Sequence, residues 1–185
     1  KKSIADFDLV LVADFGHGCI DSTVIEFLCS NAKYLAVNVQ ANSSNMGFNF
    51  ISKYPRIDYL CIDKEELRLA YQDQFGPIED LIRKAAKDFS TKLITITLGV
   101  NGSLVYDPKR DLFFKTPIFS QQVVDTTGAG DAFLAITSPL AANGASPELL
   151  GLVGNCVSAL AVRVLGNRKP VEKVYLQKYI KALLA

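Results

Sequence analysis

From Leu9 to Leu98 the chain alternates short unbroken apolar runs with segments whose apolar residues recur at helical spacing. Residues 9–13 (LVLVA), 33–39 (KYLAVNV), 58–62 (DYLCI) and 93–98 (LITITL) predict strands, and 21–30 (DSTVIEFLCS), 64–73 and 77–89 predict helices, the first opened by a capping aspartate. Continuous apolar strands separated by helices imply a parallel sheet covered on both faces. Beyond 98 the pieces shorten: 103–106 and 112–115 flank the turn former DPKRD and predict a hairpin at the sheet's edge. Helices are then expected at 128–143, 147–164 and 172–183, with Gly144 and Gly166 as stops and Pro139 kinking or shortening the first. The fold class is therefore α/β, a three-layer α/β/α arrangement around a mostly parallel sheet.

Composition narrows the reading. At 185 residues, 49% hydrophobic and a formal net charge of +1, the chain suits one domain and offers no basic surface for nucleic acid or anionic lipid. No apolar run is long enough to span a bilayer, and the opening KKSIADFD lacks the apolar centre of a signal peptide, so a soluble cytoplasmic protein is expected. Cys19, Cys29, Cys61 and Cys156 are widely spaced and form no CxxC, which points to buried free thiols rather than a zinc or redox centre. A single histidine, His17, is a poor basis for a metal site or a triad and reads as a surface or polar contact.

The segment VVDTTGAGDAF, 123–133, begins a helix with two of its worst interior residues. Glycine costs about 1 kcal/mol relative to alanine in a helix, so Gly128 and Gly130 together forgo roughly 2 kcal/mol. Without a Cβ, the N–H groups of a first helical turn can approach a phosphate or another developing anion. Thr126 or Thr127 is the expected cap, with Asp125 closing a strand. Asp131 would repel a ligand in a pure phosphate cradle, but beside a phosphoryl donor it could take the proton of an alcohol. A capped helix with an acid placed against its dipole explains the same residues.

The full string DTTGAGD resembles the DTxGAGD signature of the ribokinase-like (PfkB) carbohydrate kinases, and it stands near the chain's end, as in that family. The resemblance implies a ribokinase-like fold, ATP and Mg2+ as cofactors, Asp131 as catalytic base, and Gly128, Ala129 and Gly130 as an anion hole, with Thr126 beside the nucleotide. ITLGVNGSLVY, 96–106, resembles the family's nucleotide-side loop, which assigns Thr97, Gly99 and Gly102 to the nucleotide; read alone, the glycines also make an ordinary hairpin turn. CIDKEEL, 61–67, stands where the family has N-x-x-E, with Asp63 in place of asparagine and Glu66 matching. These two imply a magnesium site, and equally they form a capping-box variant.

VADFGHG, 12–18, resembles the strand end of heptose-phosphate kinases, with Phe15 and His17 replacing a tyrosine and a lysine; Asp14 is the implied substrate contact. The amide-rich loop NVQANSSNMGFN, 38–49, either contacts ligand or satisfies its own backbone. GNCVSALAVRVLGNRKPV, 154–171, resembles the family's late helix, which puts Asn155 near the adenine pocket. Val153, Val157, Leu160 and Val164 also make a core stripe there, with Arg163 on the opposite, solvated face.

The resemblance covers only the C-terminal part of the family's domain, so residues 1–185 are expected to form a single partial domain that lacks the first strands and much of the sugar pocket. A missing N-terminal segment or a homo-oligomeric partner would then complete the sheet. The implied activity is phosphorylation of a small sugar or sugar phosphate, weak or absent in this segment by itself. A non-catalytic nucleotide-binding or assembly module derived from the same fold is the alternative. No GxxxxGK[ST] occurs, and no GxGxxG follows the first strand, which argues against a P-loop NTPase and a dinucleotide-binding oxidoreductase.

Overall fold

A computed structural model of the chain describes residues 3–43 and 45–185, so Lys1 and Lys2 of the opening stretch and Ser44 of the amide-rich loop lie outside the described residues. Six strands form one sheet in sequential order: β1 (Val10–Asp14), β2 (Leu35–Val39), β3 (Tyr59–Asp63), β4 (Leu93–Thr97), β5 (Ser103–Asp107) and β6 (Leu112–Thr116). The first four run parallel, in a register that pairs Val12 with Val37 and Leu60 with Ile94. β5 and β6 add antiparallel, the hairpin expected around DPKRD.

Successive side chains of a strand face opposite ways, and the sequence fills both faces. Leu60 and Ile62 pack against α1 (Ser22–Asn31), α2 (Lys64–Tyr71) and α3 (Ile78–Phe89). Tyr59 and Cys61, their neighbours on β3, face α4 (Ala129–Ala142) and α5 (Pro147–Ala161). That places the sheet between two helical layers, as the continuous apolar strands predicted. α6 (Lys173–Leu183) packs on α5 around Leu176. No helix among the described residues is long and apolar enough to cross a membrane.

Local chemistry sets the helix ends. Asp21 caps α1 by accepting from the Val24 N–H at 2.9 Å, and Gly144 and Gly166 take the left-handed backbone expected of helix stops. α5 ends at Ala161, three residues earlier than its pattern suggested, and Val162 turns its carbonyl to the N–H groups of Val124 and Asp125 at 2.8 and 3.1 Å.

One expectation fails, and of the two effects expected of Pro139 the shortening does not occur. Pro139 does not shorten α4, which runs on to Ala142; the Thr137 and Ser138 hydroxyls each bond back to the carbonyl four residues earlier, and α4 is held along its length against α5 and β3. The β-branched run before DTTGAGD is not a strand: Val123 and Val124 are exposed and tied to the end of α5, because β6 already occupies that edge of the ladder.

Candidate active site

A cavity of about 340 Å³ opens where β2, β3 and β4 end, between the first turn of α4 and the flank of α5. Carboxyl ends of parallel strands are where open α/β sheets bind ligands, and this volume suits a small molecule. Of the residues singled out in the sequence, Asp63, Glu66, Thr97, Gly99, Gly102, Thr126, Ala129, Gly130 and Asn155 line it. Gly128, Asp131 and Asp14 are not among its lining residues.

α4 enters through Gly128, whose φ of +78° is left-handed and so favours glycine, and no side chain caps the helix. Neither threonine is the cap. Asp125 instead ties the entry loop by accepting from the N–H groups of Thr127 at 2.9 Å and Gly166 at 2.8 Å. A Cβ added at Gly130 would meet no protein atom within 4 Å, so the space over this turn belongs to the cavity. Helical geometry leaves the Gly130 and Asp131 N–H groups without an intrahelical partner, at the positive end of the helix dipole. The two glycines thus answer different needs: one the turn into the helix, the other clearance above it.

Asp131 is partly buried, and its Oδ1 accepts from the side-chain amide of Gln40 at 2.7 Å. Gln40 lines the cavity, so the acid reaches its rim through the residue that follows β2. Across the opening, Asp63 and Glu66 form the capping box of α2, in which the Glu65 N–H donates to Asp63 and the Asp63 N–H to Glu66. The same carboxylates also line the cavity, so both readings of CIDKEEL hold at once. Glu66 additionally accepts from the Ala41 N–H at 2.9 Å. Burial pushes Glu66 up to about 7 despite the pull of those two N–H groups, and the Asp63 and Asp131 carboxylates add to the push.

The floor and far wall are less polar. Thr97 donates weakly to Asp63 at 3.4 Å, and Leu98 and Gly102 close the turn that carries Gly99 and joins β4 to β5. Gly102 has φ +85° and ψ −130°, and a Cβ there would stand 1.9 Å from the Thr116 carbonyl oxygen, so its glycine is required by β6 behind it. Asn155 is buried, donating to the Ser103 hydroxyl at 2.6 Å and the Gly151 carbonyl at 2.8 Å. Burial pushes the Cys61 thiol up to about 12, which keeps it protonated and unreactive. Val100, Ile118, Phe119, Val123 and Val162 make the apolar side. Nothing in the sequence connected 117–123 with this wall, because only the chain's course after β6 brings it there.

Asp14 is 3% exposed, and its carboxylate is taken up by Lys53 Nζ at 2.5 Å, the Tyr54 hydroxyl at 2.6 Å and the Gly16 N–H at 3.0 Å. Burial works to raise its pKa, but these partners outweigh burial and hold the carboxyl below its ordinary range. His17 is exposed beside Phe15 and Asn42. Arg163 is exposed, as expected, and lies over the Tyr179 ring while donating to Ser120.

Asn38 and Gln40 line the cavity, from the start of the amide-rich stretch that the sequence left open between ligand contact and self-satisfied loop. Asn38 is buried, donates to the Cys61 carbonyl at 2.8 Å, and has a side-chain oxygen with no protein partner. The available signal was two amides spaced by two at the carboxyl end of a buried strand.

Known proteins resemble this chain in sequence and in shape. The bifunctional protein HldE of Campylobacter jejuni subsp. doylei is 28% identical over 169 residues, 90% of this chain and 35% of the relative. HldE of Koribacter versatilis is 28% identical over 178 residues, 95% of this chain and 35% of the relative. The chain thus spans about a third of the length of these relatives. Arabidopsis thaliana ribokinase, solved with ribose and ATP, superposes with a TM-score of 0.75 at 22% identity over 96% of this chain and 57% of its own. Escherichia coli phosphofructokinase-2, solved with potassium, gives 0.77 at 16% identity with the same coverage. These likenesses establish a ribokinase-like fold. The model of the pfkB family carbohydrate kinases matches residues 21–174, a span that holds both the DTTGAGD turn and the facing carboxylates, and the chain belongs to that family.

Proposed function

We propose that residues 1–185 are the C-terminal, nucleotide-binding and catalytic part of an ATP-dependent kinase that phosphorylates a hydroxyl of a sugar or sugar phosphate. The observation that carries this reading is the first turn of α4. Free N–H groups, the open space over Gly130 and the Asp131 carboxylate meet there at the rim of a cavity. ATP fits an apolar wall for the base and a glycine-rich turn for the phosphates. The resemblance to heptose-phosphate kinases at 12–18, and the HldE relatives, favour a heptose-phosphate-like acceptor in a cytoplasmic sugar pathway.

In this mechanism the acceptor hydroxyl gives its proton to Asp131 as its oxygen bonds to the γ-phosphorus, and the bond to the bridging oxygen breaks to release ADP. Of the anion hole implied at Gly128, Ala129 and Gly130, the Ala129 N–H is spent on the Thr126 carbonyl at 3.2 Å, so the Gly130 N–H, joined by that of Asp131, stabilises the charge on the transferring group. Thr97, Gly99, Gly102, Thr126 and Asn155 frame the nucleotide. Asp63 and Glu66 suit Mg2+: both are oxygen donors, and two carboxylates with retained waters and nucleotide phosphates are the usual Mg2+ set. No cluster of three or more His, Cys, Asp or Glu able to hold a metal exists among the described residues. Bound there, Mg2+ would supply positive charge to offset that of the nucleotide phosphates.

The acceptor side is where the segment falls short. Asp14, the implied substrate contact, has its carboxylate engaged within the protein. Among the described residues β1 pairs with β2 alone, and Leu11 on β1 is exposed. We infer that further strands of the whole protein, or a second copy, cover that edge and complete the acceptor pocket. The same observation favours the second reading, a nucleotide-binding module without turnover.

The test is ATP consumption by the full-length chain against sugars, heptoses and their phosphates, alongside Asp131→Asn. An acceptor-dependent rate that vanishes in the variant is expected and names the acceptor. ATP binding without turnover by either protein favours the non-catalytic module.

A further inference from the structure

We propose that Gln40 is the positioning residue for Asp131: its side-chain amide holds Oδ1 so that Oδ2 is left to face the acceptor hydroxyl, an assignment that rests on the base role proposed above. The contact spans 91 residues of sequence at 2.7 Å, and Oδ2 has no protein partner among the described residues. An ionised carboxylate accepts only, and an amide N–H is a neutral donor. Gln40 therefore fixes the orientation of the acid through a donor that the carboxylate can accept from. A freely rotating carboxylate would divide its time among rotamers, and misplacement of about 1 Å costs up to about 100-fold in rate.

Gln40 is itself held from several directions. Its backbone N–H donates to the Asp14 carbonyl at 2.9 Å, and its carbonyl accepts from Asn49 Nδ2 at 3.0 Å. The next N–H, at Ala41, is taken by Glu66. Asn49 is set by Lys53, whose Nζ donates to the Asn49 side-chain oxygen at 2.6 Å and pairs with Asp14. Tyr54 completes the hold on Asp14. A buried polar group is worth keeping where it is fully satisfied, and this set links the ends of β1 and β2 to the first turn of α4. It also gives the amide-rich loop and Asp14 a role: they hold the strand exit from which Gln40 reaches the acid.

The experiment uses the full-length chain. In 1H–15N NMR spectra the Gln40 side-chain amide, assigned by its loss in Gln40→Leu, is expected to move on Asp131→Asn; an unmoved signal overturns the contact, and no acceptor is needed. Turnover of MgATP is then measured with D-ribose, D-fructose 6-phosphate and a heptose 7-phosphate. Gln40→Glu keeps the shape but loses the donor, and Gln40→Lys keeps a donor but not the shape. Positioning predicts that kcat falls about 30-fold or more in Gln40→Glu and stays within about five-fold in Gln40→Lys, with KM for ATP within about two-fold in both. A packing role predicts the reverse order and overturns the proposal. If Asp131→Asn remains active, the base role itself fails; if it is inactive while Gln40→Glu turns over normally, only the positioning role fails.

Discussion

Replacing Glu66 with glutamine should make the chain less stable in mild acid and more stable at neutral pH and above. Burial pushes the Glu66 carboxyl up to about 7, with Asp63 and Asp131 adding to the push and the Ala41 and Asp63 N–H groups opposing it. An unfolded glutamate ionises near 4.3, so between that pH and about 7 the folded state binds more protons than the unfolded state. Stability therefore falls as pH rises through this window, by roughly 3 kcal/mol in all. Glutamine cannot ionise and escapes this loss, but its single oxygen cannot serve both N–H groups, a deficit of about 1 kcal/mol at every pH. The balance is a variant about 1 kcal/mol less stable near pH 4, about level with the parent at pH 5 and about 2–3 kcal/mol more stable at pH 8. Asp14 and Asp58 are held below the ordinary carboxylate range and titrate under this window. Urea unfolding without nucleotide or Mg2+ measures the difference; the chain has no tryptophan, so far-ultraviolet circular dichroism is the signal. Parallel stability curves for the two proteins between pH 5 and 8 would refute the reasoning.

Two further outcomes follow from the geometry. Gly102→Ala should destabilise the chain by about 2–4 kcal/mol in urea, because the new Cβ meets the Thr116 carbonyl oxygen at 1.9 Å in a backbone conformation open to glycine; a loss below about 1 kcal/mol would show that β6 yields easily. Asp14→Asn should cost roughly 2–3 kcal/mol at pH 7, less than a fully buried pair, because the Lys53 side chain is 30% exposed. The depressed Asp14 carboxyl stabilises the fold above its unfolded value, so the gap between the proteins should close as pH falls below about 4, and a gap that persists in acid would contradict the pairing.

An acid held against burial and like charges is a common mark of a working site. Glu66 is such an acid, and an ion bound beside it would relieve both causes. The kinase reading and the stability prediction meet at this residue: Mg2+ with nucleotide should stabilise the chain most where Glu66 is ionised, above about pH 7.

The sequence by itself determined the four parallel strands and their helices, because an apolar run such as LITITL has no stable place except between two covering layers. It also marked the GAGD turn, since two glycines are costly inside a helix, although the cap is Gly128 itself and not a threonine. VVD misled because β-branched residues fit a ladder, and only the finished sheet shows that β6 has taken the place. Pro139 misled because a local rule about helix breaking was overridden by packing against α5 and β3. The tertiary structure alone decided that Asp14 is a buried hub and that Gln40 reaches Asp131. Partners 40 and 91 residues apart leave no periodic trace in the chain, since hydrogen bonds between side chains depend on where strand ends and helix starts converge in space.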